Sequence, residues 1–433
     1  MAARLPTDQI QQYKDSEEEK IAQEMLDVFL TDKSGFNFFN LVIRNTNARE
    51  GSSFTDASIS LQVLDDVNLL RNDLVESYPK CGCVGIKDIL QEAILRNFSR
   101  DGVDAVEKDP DYRPAFFALL EFLRGRNTHA KAIEKLFNSR GKKKPLVMTA
   151  LAHHLFSQLV PGKEYEVDRY AKDIPKTCQC GCNANISAGN TSVGSQGTWH
   201  GKVDILLNHT IPVSVLQEQS VNEDDEIDSE STDENEGESE IKKRKIDKGN
   251  YDVKQGGSKQ TEQKDKIDSC EIPVKVKSCK ADEKVLYCTK VLKQIFAEAI
   301  TNSFAQVHMN PNSLSNFLIP TFGATSEHIT ICLYDSENDY LLYNTQEIYL
   351  WTAQNKLNIT AIMIIWLFLN FTVFTSKNLH SFVKLDKSGL HEELGQFLEL
   401  YKKAETRGNY VSWTPYLHYS DVVPKFYSRE KLT

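Results

Sequence analysis

The stretch Thr198-Trp-His-Gly-Lys-Val-Asp204-Ile-Leu-Leu207, the turn Asn208–His209–Thr210, the run Ile211-Pro-Val-Ser-Val-Leu216 and then Gln217–Glu218–Gln219 set the architecture of the chain. Two short aliphatic, β-branched runs joined by turn-forming residues predict a β-hairpin. Asp204 stands inside the first run. An acid among apolar strand residues is costly unless it is paired, hydrogen-bonded or bound to a metal. The second run ends in the polar cluster 217–219, and a hairpin can lay two such positions side by side. That geometry offers oxygen ligands to one divalent cation, which would polarise a phosphate and lower the pKa of an attacking water. The plainer reading makes Asp204 an acid near a turn, satisfied by backbone amides or by Lys202.

Working outward, apolar residues upstream recur at helical spacing in short blocks from Ile21 to Ser157. Breakers such as Asp109-Pro-Asp-Tyr-Arg-Pro114 and the run Arg140-Gly-Lys-Lys-Lys-Pro145 divide them. This predicts an all-helical N-terminal region over 1–140. Downstream, an amphipathic helix from Val285 to Val307 carries Gln294 and Glu298 one turn apart on one face. Strands follow over Glu327–Tyr334 and Tyr340–Trp351, and a last helix lies near Leu390–Ala404. Between hairpin and helix, residues 220–284 hold scarcely any apolar side chains and cannot offset their ordering entropy, so they read as a disordered charged insert. The expected fold class is α/β, a mixed sheet flanked by helices. Its first part would occupy 141–219 and its second part, with the C-terminal helix, 285–433.

The hairpin with its Asp, the following strand and the helix bearing Gln294 resemble the PD-(D/E)XK nuclease superfamily, the restriction-endonuclease-like fold. That pattern is a helix, a hairpin with a metal-binding Asp, a strand ending in Glu-x-Lys, a helix often carrying Gln, and another strand. The resemblance covers roughly Leu146 to Phe374. It implies a nucleic-acid partner and a Mg or Mn ion on Asp204 and Glu218, and, if active, an endonuclease or exonuclease. The site would comprise Asp204, Gln217, Glu218, Gln219 and Gln294. The sequence departs from the pattern where it matters, because Gln217–Glu218–Gln219 stands in place of Glu-x-Lys. Gln219 occupies the position of the missing Lys, and a one-residue displacement turns Glu218 to the other face of the strand. Phosphodiester hydrolysis is therefore expected to be weakened or lost. The competing reading is a non-enzymatic nuclear scaffold acting through its helical region and acidic insert.

Charge and cysteines add context. The net charge of −10 comes from an insert segment, Glu218–Glu240, with twelve of the 61 acids and no Lys or Arg; the remaining 49 acids nearly balance 51 bases. The basic run Lys242-Lys-Arg-Lys245 beside it suits a nuclear import receptor or simply balances the acids. The charged insert is also a candidate site for protein partners. The polar, acidic N-terminus lacks the apolar core of a secretory signal, so a nuclear or cytoplasmic location is expected. Nine cysteines then read as free thiols. Cys81–Gly–Cys83 and Cys178-Gln-Cys180-Gly-Cys182 invite a structural zinc, but Cys-x-Cys is tighter than the usual zinc spacing and disfavours it. The adjacent His153 and His154 face different directions on a helix, which disfavours joint ligation. The apolar run Leu357–Phe374, interrupted by Asn and Thr, reads as a core helix rather than a membrane span.

Overall fold

A computed structural model describes residues 7–31, 34–62, 82–107, 111–137, 143–216, 289–344, 346, 348–377, 379 and 385–406. The expected insert, Gln217, Glu218, Gln219, Cys81 and the basic run 242–245 lie outside the described residues. In chain order the strands are β1 (Asn37–Asn40), β2 (Val42–Thr46), β3 (Ile59–Gln62), β4 (Cys83–Gly85), β5 (Tyr165–Asp168), β6 (Ala188–Gly189), β7 (Ser192–Val193) and β8 (Gly201–Lys202). They continue with β9 (Ile205–Leu207), β10 (Ile211–Val215), β11 (Ile319–Ala324), β12 (His328–Asp335), β13 (Tyr340–Asn344) and β14 (Ile348–Tyr349).

Ten of these strands form one mixed sheet in the order β4-β1-β13-β12-β11-β10-β9-β5-β6, with β14 paired to β12. Neighbours are antiparallel except at β10/β11 and β5/β6. Parallel neighbours need a crossover, and between β10 and β11 the Thr289–Met309 helix supplies it. Side chains alternate across the sheet. On β12, Ile331 and Leu333 enter one core with Phe116 and Trp366, while Cys332 and Tyr334 enter a second with Ile295, Phe296 and Phe304 of the crossover helix. With both faces covered, β10 to β13 are buried at every position, which is why they read as apolar runs.

The mixed α/β class is as expected; the all-helical N-terminal region is not. Residues 37–62 contain β1, β2 and β3, and β1 joins β13 while β4 joins β1 at the sheet edge. The cause is legible in Asn37-Phe-Phe-Asn-Leu-Val-Ile-Arg-Asn-Thr46, where aromatic and β-branched residues suit a pleated surface better than a helix. Between the two breakers the expected short helical blocks are one long helix, Arg113–Phe137. Gly125 inside it costs only about 1 kcal/mol against Ala, which packing at both ends offsets. The apolar run 357–374 divides into the helices Ile359–Leu369 and Phe371–Phe374. Asn370 marks the break, its amide donating to Leu159 O at 3.0 Å and to Trp366 O at 2.8 Å. No helix among the described residues is long and apolar enough to cross a membrane.

Candidate functional site

The hairpin forms as expected. Asn208 and His209 both take positive φ, 46° and 59°, and the Thr210 N–H donates to Leu207 O at 2.9 Å, the reversal that matches strand twist. Pairing runs Leu207 to Ile211, Leu206 to Pro212 and Ile205 to Val213. Asp204 stands in a bend one residue before the paired strand begins. There the Val215 N–H donates to Asp204 Oδ2 at 2.7 Å, so the carboxylate caps the end of the ladder. Lys144 Nζ, from the start of the Lys144–Leu151 helix, lies 2.8 Å from Asp204 Oδ1.

A second carboxyl approaches from the crossover helix. Glu298 is fully buried, accepts hydrogen bonds from Ser214 Oγ and, at 2.9 Å, from Gln294 Nε2. Burial pushes its pKa up to about 7; Asp204 adds to the rise, while the Ser214 and Gln294 hydrogen bonds and the Lys144 ammonium oppose it. Asp204 is raised too, first by burial and also by nearby Asp168, against the pull of Lys144 and the Val215 N–H. Burial of an acid does not by itself make a site. Asp339, equally buried, takes hydrogen bonds from Tyr334, Ser388 and the backbone of Gly389, and serves as a turn clamp.

Of the residues singled out from sequence, the structure brings together Asp204 and Gln294, the latter through Glu298. The other three, Gln217, Glu218 and Gln219, fall outside the described residues. Lys202 does not satisfy Asp204; its Nζ sits 3.7 Å from the Tyr170 ring centroid instead. Sequence reasoning missed Lys144, sixty residues upstream of its partner. Its only signal was a lysine directly before Pro145 at the start of a helix. The described residues give no support to the expected Mg or Mn. Glu218, the second expected ligand, lies outside the described residues, both Asp204 oxygens already accept protein donors, and the Lys144 ammonium supplies the positive charge that an ion would bring.

The described residues do contain a group able to hold a metal ion, and it is the thiol cluster that the spacing argument set aside. His154, Cys178, Cys180 and Cys182 place their ligand atoms within 4.8 Å of one another. His154 belongs to a π-helical turn, Ala152–Phe156, continuing the Lys144–Leu151 helix; such turns recur at functional sites. His153 turns away, its Nδ1 3.4 Å from the Tyr165 hydroxyl. The cysteines lie on the strap that follows β5, closed by a bridge between Thr177 and Asn185. Gly181 and Asn183 at positive φ, 103° and 56°, fold the strap back on itself, and this curvature brings Cys-x-Cys-x-Cys to a common point. Burial lowers His154 to about 4, so its imidazole is neutral and keeps a lone pair. Burial pushes the Cys178 thiol up to about 12. Burial also opposes ionisation of Cys180, yet hydrogen bonds from Cys182 and Cys178 and the Lys135 charge bring it below the usual thiol value. Cys83 is exposed on β4 and takes no part in this group.

Comparison of the chain with protein-family models, with curated proteins and with solved structures finds no match.

Proposed function

We propose that the chain binds nucleic acid on an α/β core similar to the PD-(D/E)XK nucleases, with phosphodiester hydrolysis weakened or lost. In support of the core, the Lys144–Leu151 helix, β5, the β9–β10 hairpin with Asp204, the crossover helix with Gln294, and β11 parallel to β10 follow one another in the order of that pattern. In support of weakened hydrolysis, one Asp204 oxygen is taken up by the Val215 N–H of β10. Lys144 holds the Asp204 carboxylate, and Glu298 has no solvent-facing surface.

The observation that carries binding is Tyr170, 56% exposed, with the Arg169 guanidinium 4.8 Å and the Lys202 ammonium 3.7 Å from its ring centroid. The strap bearing Arg169 and Tyr170 leaves β5 beside the acid, where the Asp168 N–H donates to Asp204 O at 3.0 Å. An exposed ring flanked by cations offers a face for base stacking together with charge for phosphate.

The test is fluorescence anisotropy of the full chain with labelled single- and double-stranded DNA and RNA over a salt series, beside a cleavage assay in Mg²⁺ and Mn²⁺. Salt-sensitive binding with little or no cleavage is the expected result. Absence of salt-sensitive binding would overturn the reading in favour of a protein-interaction role. Strong metal-dependent cleavage abolished by Asp204→Ala would overturn the loss of hydrolysis.

A further inference from the structure

The geometry of the strap after β5 points to a site that the nucleic-acid reading does not use: we propose that His154, Cys178, Cys180 and Cys182 bind one zinc ion that staples the strap to the π-turn. A tetrahedral zinc with sulfur ligands at about 2.3 Å and nitrogen at about 2.0–2.1 Å holds nitrogen and sulfur about 3.6 Å apart. Here His154 Nε2 lies 3.2 Å from Cys178 Sγ, 3.2 Å from Cys180 Sγ and 3.8 Å from Cys182 Sγ. Three sulfurs and one imidazole converge on a space the size of a single ion.

The ligand set and its surroundings favour zinc over harder cations. Thiolate and imidazole donors select zinc or an iron–sulfur centre, and magnesium or calcium would require oxygen. Zn²⁺ with three thiolates carries one net negative charge, and Lys135 stands ready to balance it, its Nζ donating to Cys180 O at 2.8 Å. The Cys182 N–H points at Cys180 Sγ at 3.4 Å, the kind of backbone donor that steadies a metal-bound thiolate. On binding, each thiol yields its proton to solvent as its sulfur joins the ion, His154 binds as the neutral imidazole, and zinc stays divalent. Four closed ligands leave no position for substrate, so the site is structural.

Its consequence is mechanical. Cys178 packs into the main core, whereas Cys182 is exposed. The ion would tie the outer limb of the strap to a buried helix and so fix the path that begins at Arg169 and Tyr170.

The experiment is elemental analysis of the untagged full chain, purified without chelator, together with cobalt substitution and native alkylation of thiols. One zinc per chain is expected, with cobalt giving intense thiolate charge-transfer absorption. Cys180 and Cys182 should be protected from iodoacetamide until a chelator strips the ion, and zinc but not magnesium should restore protection. Cys180→Ser and His154→Ala should lose the zinc, and Cys332→Ser, which alters a cysteine remote from the cluster, should keep it. The proposal is overturned by a folded chain that stays metal-free after incubation with zinc, by equal alkylation with and without zinc, by a Cys180–Cys182 disulfide, or by a coloured iron-containing centre. Because metal content and thiol protection are read without nucleic acid, these outcomes stand apart from success or failure of the binding assay.

Discussion

The ammonium of Lys144 and the carboxylate of Asp204 meet at 2.8 Å although sixty residues separate them, the lysine side chain 42% exposed and the aspartate only 15%. Removing the cation alone leaves a largely buried charge whose remaining strong donor is the Val215 N–H. Loss of one partner of a fully buried pair costs about 3–5 kcal/mol, and solvent access at Lys144 lowers the expectation for Lys144→Met to about 2 kcal/mol. The double variant Lys144→Met/Asp204→Asn should recover more than half of that loss. Urea denaturation of the four proteins closes the cycle. Additive losses would mean that the two groups do not act as a pair.

Glu298 makes stability depend on pH. Its pKa is about 7 in the folded chain against an ordinary value of 4.5. A folded-state value above the unfolded one gives stability that is fully present below pH 4.5 and lost as pH rises through 7. At 1.36 kcal/mol per unit the loss is on the order of 3 kcal/mol. Glu298→Gln has no proton to lose, and its amide can still accept from Ser214. Its stability relative to the native chain should therefore rise between pH 4.5 and 8. A difference that stays flat across urea titrations at pH 4.5, 6 and 8 would show that Glu298 ionises normally.

The hairpin and the crossover helix were legible because their signals are local. Asn208–His209–Thr210 between two aliphatic runs dictates a reversal, and Ile295, Phe296, Ala299 and Ile300 recur at helical spacing. The strands in 37–62 were not, because short mixed segments satisfy a helical count about as well as a pleated one and only pairing with β13 decides between them. The candidate sites divide the same way. Asp204 announces itself by being an acid in an apolar run. Lys144 and His154 come from a helix far upstream of Asp204 and of the cysteines they meet, so no spacing rule reaches them. For the cysteines a signal existed, since three in five residues with an intervening glycine invite convergence. The pairwise Cys-x-Cys rule undervalued it because the fourth member of the group is a histidine delivered by the fold.

If the proposed nucleic-acid binding holds, Tyr170 and Arg169 separate two contributions to it. Replacing the ring by Ala removes a stacking face, worth about 1–3 kcal/mol per base, so affinity for single strands should fall at least about fivefold. The salt slope should stay unchanged. Arg169→Ala should instead lower the slope by about 1, the signature of one lost phosphate contact. Anisotropy over a salt series reads both. Equal effects of the two substitutions on slope would remove the stacking role from Tyr170.

Gly194 and Gly162 both adopt left-handed backbone, with φ of 85° and 77°, but their surroundings differ. A Cβ at Gly194 would lie 2.2 Å from the Trp199 carbonyl oxygen and 3.0 Å from Thr301 Cγ2, whereas at Gly162 nothing lies within 4 Å. Trp199 cannot easily give way, since it is fully buried and its N–H and indole Nε1 are held by the Tyr401 hydroxyl at 2.9 Å and Asn47 Oδ1 at 3.0 Å. Gly162→Ala should therefore cost only the backbone penalty, about 1 kcal/mol, and Gly194→Ala that penalty plus the displacement of the segment leading into the Asp204 hairpin, about 3 kcal/mol or more. Urea midpoints at constant slope measure the difference. Equal losses at the two positions would mean that the 194–199 approach relaxes freely and does not position the hairpin.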